Sequence, residues 1–167
     1  MTSTARSGES RSGGILFEER QRFRQLWLWL IILSATFVLL RSAQTDRFSL
    51  PLIVGFLVGV SLPVLFYLSE LRVRVEPAGV FIRFFPLARR KIAASDIVRC
   101  EARTYRPIRE YGGWGVRYSW GHGMAYNVSG NRGVQLKLRD GKEVLIGSQQ
   151  AEQLEAAIRQ AASQIGP

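Results

Sequence analysis

Residues 71–85 read LRVRVEPAGVFIRFF, and this stretch decides the fold class of the region that surrounds it. Residues 71–76 alternate apolar and charged side chains, which is the period of a strand with one buried face. The tripeptide 77–79, Pro-Ala-Gly, favours a tight turn, because proline presets φ and glycine tolerates the conformation that follows. Residues 79–85 repeat the strand pattern. The stretch therefore predicts an antiparallel hairpin.

Further short runs of strand character follow this hairpin, separated by turn residues. They cover residues 90–92, 97–103, 114–120, 124–128, 134–139 and 143–147. After them, Ser148 is a plausible N-cap, and apolar residues between 151 and 165 recur at helical spacing. We therefore expect residues 70–167 to form a pleckstrin-homology-like antiparallel barrel of about seven strands, capped by a C-terminal helix.

Two uncharged apolar segments precede the hairpin. Residues 25–40 read QLWLWLIILSATFVLL, and residues 48–69 read FSLPLIVGFLVGVSLPVLFYLS. A helix needs about twenty apolar residues to cross a bilayer, and the second segment meets that length. The pattern predicts a transmembrane helical hairpin within residues 15–69. A cleaved signal peptide and a buried helical hairpin are the alternatives, but Arg41 follows the first segment and both segments are apolar on every face.

The distribution of arginine and lysine predicts an orientation for this hairpin. Cations are frequent before the first segment and after the second, whereas the connecting loop, residues 41–47, holds two arginines. We therefore expect a multi-pass inner-membrane protein with both termini in the cytoplasm. Residues 1–14 are rich in Ser, Thr and Gly, which predicts a disordered cytoplasmic tail.

Two runs of sequence resemble a known family. They are EYGGWGVR at 110–117 and AYNVSGNRGVQLKLRDGKEVLIGSQQAEQL at 125–154. The resemblance is to bacterial membrane proteins with two transmembrane helices followed by a bacterial pleckstrin-homology-like domain. It covers the chain beyond the N-terminal tail. The resemblance implies two transmembrane helices and a pleckstrin-homology-like domain for this chain, but it implies no activity.

The segment 105–126 is a candidate binding loop, because it holds six Tyr or Trp residues, five glycines and three arginines. Aromatic side chains give rigid contact area, glycine allows close approach of the backbone, and arginine binds anionic groups. In the alternative interpretation Trp114 is a core residue of a strand and the glycines shape a bulge. The candidate binding residues are Arg109, Tyr111, Gly112, Gly113, Trp114 and Arg117.

A second candidate site is the cluster of cations after the second apolar segment. Cations close to a cytoplasmic lipid surface gain about 1 kcal/mol each from anionic headgroups. The alternative is a solvated flank that only sets topology. The candidate lipid-facing residues are Arg72, Arg74, Arg89, Arg90 and Lys91.

Composition excludes several classes of function for this chain of 167 residues and net charge +10. One cysteine and one histidine exclude a disulfide framework and a multi-cysteine metal site. No phosphate-loop, helix-turn-helix or zinc spacing is present, so we expect neither a cofactor nor nucleic acid. We expect a non-enzymatic membrane protein whose cytoplasmic domain is a protein-interaction or scaffolding module for a partner or its own copies. Binding of anionic lipid headgroups by the same domain is the alternative.

Overall fold

The computed structural model describes residues 14–23, 26–42 and 50–164. Residues 1–13 of the predicted tail lie outside these ranges. The described strands are β1 (Phe17–Arg22), β2 (Glu70–Glu76), β3 (Gly79–Phe85), β4 (Ala88–Ala93), β5 (Ile97–Thr104), β6 (Gly115–Ser119), β7 (Gly123–Asn127), β8 (Arg132–Leu138) and β9 (Glu143–Gly147). The described helices are α1 (Leu26–Ser42), α2 (Leu50–Leu68), α3 (Pro107–Tyr111) and α4 (Ala151–Ser163).

The first sheet has the order β1-β2-β3-β4, and each pair in it is antiparallel. The predicted hairpin of β2 and β3 is confirmed, with Glu76 paired to Gly79 at the turn. Gly79 has φ +143°, and a Cβ atom there would lie 2.1 Å from the Ile92 carbonyl oxygen. Both the backbone angle and the close approach therefore require glycine at this position.

Strand β1 is an element that the sequence did not predict. It pairs along its whole length with β2, although it comes before the two helices that precede β2 in the chain. Its Gln21 side chain is buried and donates a hydrogen bond to the Gly147 carbonyl oxygen of β9, at 2.9 Å. The N-terminal strand therefore belongs to the same folded unit as residues 70–164.

The second sheet has the order β5-β8-β9-β7-β6. Strands β7 and β9 are parallel, whereas the sequence predicted an entirely antiparallel domain. A 3-10 turn at Ala94–Asp96 carries the chain from β4 of the first sheet to β5 of the second. The predicted seven-stranded barrel is therefore wrong, because the nine described strands form two separate sheets and an α+β fold.

Helix α4 joins the two sheets into one core. Its buried face packs on β5 and β8 of the second sheet and on β1, β2 and β3 of the first. That face consists of Ala151, Leu154, Ala157, Ile158 and Ala161, as the helical spacing predicted. Ser148 does not occupy the N-cap position, which belongs to Gln150, but its hydroxyl accepts a hydrogen bond from the Gln150 N–H at 3.0 Å.

In the chain, helices α1 and α2 follow β1 and precede β2, and the two helices pack against each other. The Thr36 hydroxyl lies 3.0 Å from the Gly59 carbonyl oxygen, and Phe23 packs edge-on against Phe66 at the base of the pair. Helix α1 has 17 residues and α2 has 19. The chain leaves α2 at Leu68 and enters β2 at Glu70.

No helix among the described residues is long and apolar enough to cross a membrane. The predicted transmembrane hairpin is therefore wrong. The predicted multi-pass inner-membrane location with two cytoplasmic termini is wrong for the same reason, since it depended on two spanning helices.

Candidate functional site

The glycine- and aromatic-rich segment is divided by the fold into a short helix and a strand. Arg109 is exposed on α3, whereas Tyr111 at the end of α3 is buried. Gly112 ends the helix with φ +72°, and Gly113 follows with φ +127°. Gly112 and Gly113 therefore act as the stop between α3 and β6, and nothing in their geometry forms a cradle for a ligand.

A polar network underlies this segment. Tyr111 donates to the His122 carbonyl oxygen at 3.2 Å, and Arg103 pairs with Glu110 at 2.8 Å. Burial raises the pKa of Glu110, but hydrogen bonds from the Arg106 N–H and the Arg103 guanidinium outweigh it and lower the pKa overall. Glu110 is therefore held charged by groups that are already in place.

A second buried contact fixes the start of β6. The Asn127 side-chain amide donates to the Tyr105 hydroxyl at 3.0 Å, and its carbonyl oxygen accepts from the Gly115 N–H at 2.9 Å. Asn127 and Tyr105 are both almost fully buried. These two hydrogen bonds set where the strand begins and hence where its side chains point.

Trp114 lies half-buried at the margin of the main core. Its indole N–H donates to the Gly130 carbonyl oxygen at 3.0 Å, and its own carbonyl oxygen accepts from Arg117 at 3.2 Å. Val116 is also partly buried against the core. Beyond them the alternation ends, because Tyr118 is 62% exposed and Trp120 is 96% exposed.

The two exposed rings belong to a groove between the edges of the two sheets. Strand β4 ends the first sheet and β6 ends the second. The groove contains two separate cavities. One of about 230 Å³ lies between the β3–β4 turn, the end of α2 and the beginning of β6, and one of about 390 Å³ lies between β4 and the end of β6. We call this feature the edge groove, defined by Leu87, Arg90, Trp114, Val116, Tyr118 and Trp120.

The charge of the edge groove is positive. Arg90 of β4 and Arg117 of β6 form no ion pair with any carboxylate that the structure describes. Lys142, beside the larger cavity, pairs with Asp140 at 2.7 Å, and hydrogen bonds from Lys142 lower the pKa of Asp140. Glu143 also lines the larger cavity, and the charge of Arg90 contributes to the lowered pKa of Asp140. The groove therefore combines aromatic surface with two guanidinium groups that form no direct ion pair with a described carboxylate.

The predicted lipid-facing cations are divided between two surfaces. Arg72, Arg74, Arg89 and Lys91 lie on the outer face of the first sheet, because their register partners are also outward-facing residues. Arg90 pairs with buried Ile82 and lines the edge groove instead. The five residues therefore do not form one patch.

His122 and Cys100 are the histidine and the cysteine of this chain, and among the described residues neither makes a short hydrogen bond through its side chain. His122 lies 3.5 Å from the Ser119 hydroxyl and 3.9 Å from Glu110, which Arg103 already engages. Cys100 is buried, and burial raises the pKa of its thiol. No group of three or more metal-ligating side chains occurs in the described ranges.

Sequence reasoning missed two features of these surfaces. Leu87 was not assigned a role, although it forms one wall of the edge groove. Arg20 and Arg22 were placed before a helix, whereas they lie on a strand. The signal for β1 was weak, because FEERQR contains a single large apolar residue.

Comparison with known proteins gives no further identification. No family model matches the chain, and no curated protein matches it either. The resemblance drawn from residues 110–117 and 125–154 stays a prediction.

Proposed function

We propose that this protein is a non-catalytic interaction module that binds an extended acidic segment of a partner protein in the edge groove. The observation that carries the proposal is that two sheet edges face each other across a groove with exposed aromatic side chains. A role in binding a partner was also expected from the sequence, with the aromatic segment as the candidate binding loop.

The backbone of the groove supports binding of an extended chain. An edge strand has one row of N–H and C=O groups that no neighbouring strand uses. Within the described residues, β4 and β6 each have only one strand neighbour, β3 and β7 respectively. A peptide in extended conformation can satisfy such a row by adding a strand. Strand β6 has five residues, which gives a footprint of about 17 Å.

The side chains of the groove support an acidic peptide with apolar residues. Tyr118 and Trp120 pack edge-to-face with ring centroids 6.2 Å apart, so they form a preordered aromatic surface. Tyr and Trp are enriched among the residues that dominate binding energy at interfaces. Arg90 and Arg117 complement carboxylates, which favours acidic over basic segments.

Selection from a peptide library tests the proposal. The full chain is panned against random ten-residue peptides displayed on phage, and the enriched peptides are synthesised and measured by fluorescence anisotropy. We expect enrichment of peptides in which acidic and apolar residues alternate. The variant Y118A/W120A should lose at least about thirtyfold in affinity, as expected when aromatic anchors are removed.

A matched control separates the groove from other sheet edges. Val98 is 64% exposed on β5, which is the other edge of the second sheet. The variant V98A should leave affinity within about twofold. The proposal is wrong if Y118A/W120A retains affinity, or if enriched peptides carry no excess of acidic residues. Concentration-dependent dimerisation that requires Trp120 would instead identify a second copy of this chain as the partner.

A further inference from the structure

The outer face of the first sheet carries a row of four arginines, one from each strand. The register pairs Arg20 with Arg72, Arg72 with Arg83, and Arg83 with Arg89. Directly paired residues on neighbouring strands project from the same face of a sheet, and neighbouring strands lie about 4.8 Å apart. The four guanidinium groups therefore extend across the full width of the sheet. Together with Arg22, Arg74 and Lys91 they form a surface that we call the cationic face.

The carboxylates on this face neutralise only one half of it. Glu18 pairs with Arg20 and Arg74, while Glu70 pairs with Arg22 and Arg72. Glu76 contacts Arg74. All of these pairs lie on β1 and β2. On β3 and β4, by contrast, no carboxylate of the described residues pairs with the side chains of Arg83, Arg89 and Lys91.

A cavity of about 300 Å³ lies at the end of the cationic face next to the helices. Arg22, Arg72 and Arg83 form its charged wall, together with Glu70. A hydrogen bond from Arg22 lowers the pKa of Glu70, so this carboxylate is charged and the three arginines exceed it by two charges. Its remaining wall is apolar and consists of Leu68 and Phe85.

This combination of walls identifies a class of ligand. An anionic group fits the arginines, and a hydrocarbon chain attached to it fits Leu68 and Phe85, both of which are exposed. We infer that the cationic face binds anionic lipid headgroups, with a headgroup phosphate in the cavity between Arg22, Arg72 and Arg83. This contact is made at the surface of the headgroup layer and needs no spanning helix.

The aromatic residues of the face favour lipid over single-stranded nucleic acid. Bases bind such sheets by stacking on free aromatic rings. Here the Lys91 ammonium lies over the Phe81 ring at 5.1 Å, and the Arg83 guanidinium lies over the Phe85 ring at 5.7 Å. Both rings are thus covered on one side by a cation. An acidic protein segment competes for the same arginines, and comparison with a polyaspartate peptide separates it from lipid.

Vesicle co-sedimentation of the full chain tests the inference. The vesicles contain phosphatidylglycerol and phosphatidylcholine in equal amounts, and pure phosphatidylcholine vesicles give the reference. The variant R83Q/R89Q removes two cations without leaving a carboxylate unpaired. We expect it to bind mixed vesicles about thirtyfold more weakly, since each cation contributes about 1 kcal/mol at an anionic surface.

A control variant with the same loss of charge shows whether the position of the cations matters. Arg109 and Lys137 are exposed, and no ion pair joins either of them to a described carboxylate. R109Q/K137Q should bind mixed vesicles within about threefold of the unaltered chain. Both variants should keep the unaltered melting temperature.

Three results would overturn the inference. The first is equal binding to mixed and neutral vesicles, and the second is an equal loss of binding in both double variants. The third is tighter binding of a polyaspartate peptide or of oligothymidylate than of mixed vesicles, at equal total charge and with the same dependence on Arg83 and Arg89. The cationic face and the edge groove share no residue, so failure here leaves the peptide proposal unaffected.

Discussion

The buried amide of Asn127 joins Tyr105 to the beginning of β6. Because Asn127 and Tyr105 are both sealed from water, each depends on the other for a hydrogen bond. A buried polar group that loses its partner destabilises a fold by about 1–3 kcal/mol. The position of the aromatic segment therefore depends on a contact between residues 22 positions apart.

The first prediction concerns the ionisation of Tyr105. Burial raises the pKa of Tyr105 to about 12, against about 10 in an unfolded chain. Between pH 10 and 12 the folded chain keeps the phenolic proton and the unfolded chain releases it, so stability falls as pH rises. Up to about 2–3 kcal/mol of unfolding free energy should disappear across this window.

The variant Tyr105→Phe isolates this effect from the ionisation of other residues. It should be about 1–3 kcal/mol less stable than the unaltered chain at pH 8, because Asn127 loses its partner. Since phenylalanine cannot ionise, the gap should narrow towards pH 12. Urea unfolding followed at pH 8 and at pH 11.5 measures both values. A gap that stays constant would show that Tyr105 ionises equally in the folded and unfolded chain.

Strand β1 shows how a short element with weak sequence signals is held by its contacts. The Glu19 carboxylate accepts hydrogen bonds from the Ser148 hydroxyl and from the Gln149 N–H at 2.9 Å. These donors lie just before α4, so Glu19 ties the first strand of the chain to the start of the last helix. Glu18, the adjacent residue, points to the outer face and pairs with arginines on β1 and β2.

The second prediction compares these neighbouring glutamates. Glu19→Ala should destabilise the protein by about 1–3 kcal/mol, because the Ser148 hydroxyl and Gln149 N–H lose their acceptor. Glu18→Ala should lower the melting temperature far less than Glu19→Ala does, because exposed ion pairs contribute little to stability. Thermal melting gives the two values, and amide exchange in β1 should accelerate only in Glu19→Ala. Similar effects for both variants would contradict the assigned role of Glu19.

The elements that could be predicted were those with strong local patterns. The β2–β3 hairpin follows from alternation and turn residues, and the apolar face of α4 follows from helical spacing. The parallel pairing of β7 with β9 could not be predicted, because it passes over β8 and no local pattern distinguishes it from pairing between consecutive strands. Helix α3 was missed for another reason, since its five residues are too few to show a period.

The candidate sites could be predicted in their residues but not in their arrangement. The sequence indicated the cations at 72–91, yet only the register shows that Arg90 faces away from the others. The sequence also indicated the aromatic segment, yet only the structure shows that Trp114 packs against the core whereas Trp120 is exposed. The edge groove needs both sheets in place, so no local pattern could identify it.

The main hydrophobic core is shared by the two sheets and α4, and a smaller cluster of Tyr105, Tyr111, Ala125 and Leu145 lies apart from it. Leu154 is fully buried on the face of α4 that contacts both sheets. Residues of both sheets and of α4 belong to the same buried cluster. We therefore expect the two sheets to unfold together rather than as separate units.

The third prediction tests this coupling. Leu154→Ala should lower the unfolding free energy by about 2–5 kcal/mol, as large-to-small changes in packed cores do. Its melting should stay a single transition, with faster amide exchange in β3 and in β8 alike. Gln153→Ala, on the exposed side of the same helix, should leave stability within about 0.5 kcal/mol. Accelerated exchange confined to one sheet would show that the sheets are independent units.

The helical pair α1–α2 begins and ends at two neighbouring strands of the first sheet. Arg22 ends β1 and Glu70 begins β2, and these two residues are directly paired in the sheet. In outline, β1 and β2 are a β-hairpin whose connection has been expanded into two helices. Lengthening a connection between fixed ends adds little entropic penalty, so such an insert can vary while the strand register stays constant. We therefore expect changes of length within α1 and α2 to leave the pairing of β1 with β2 unchanged.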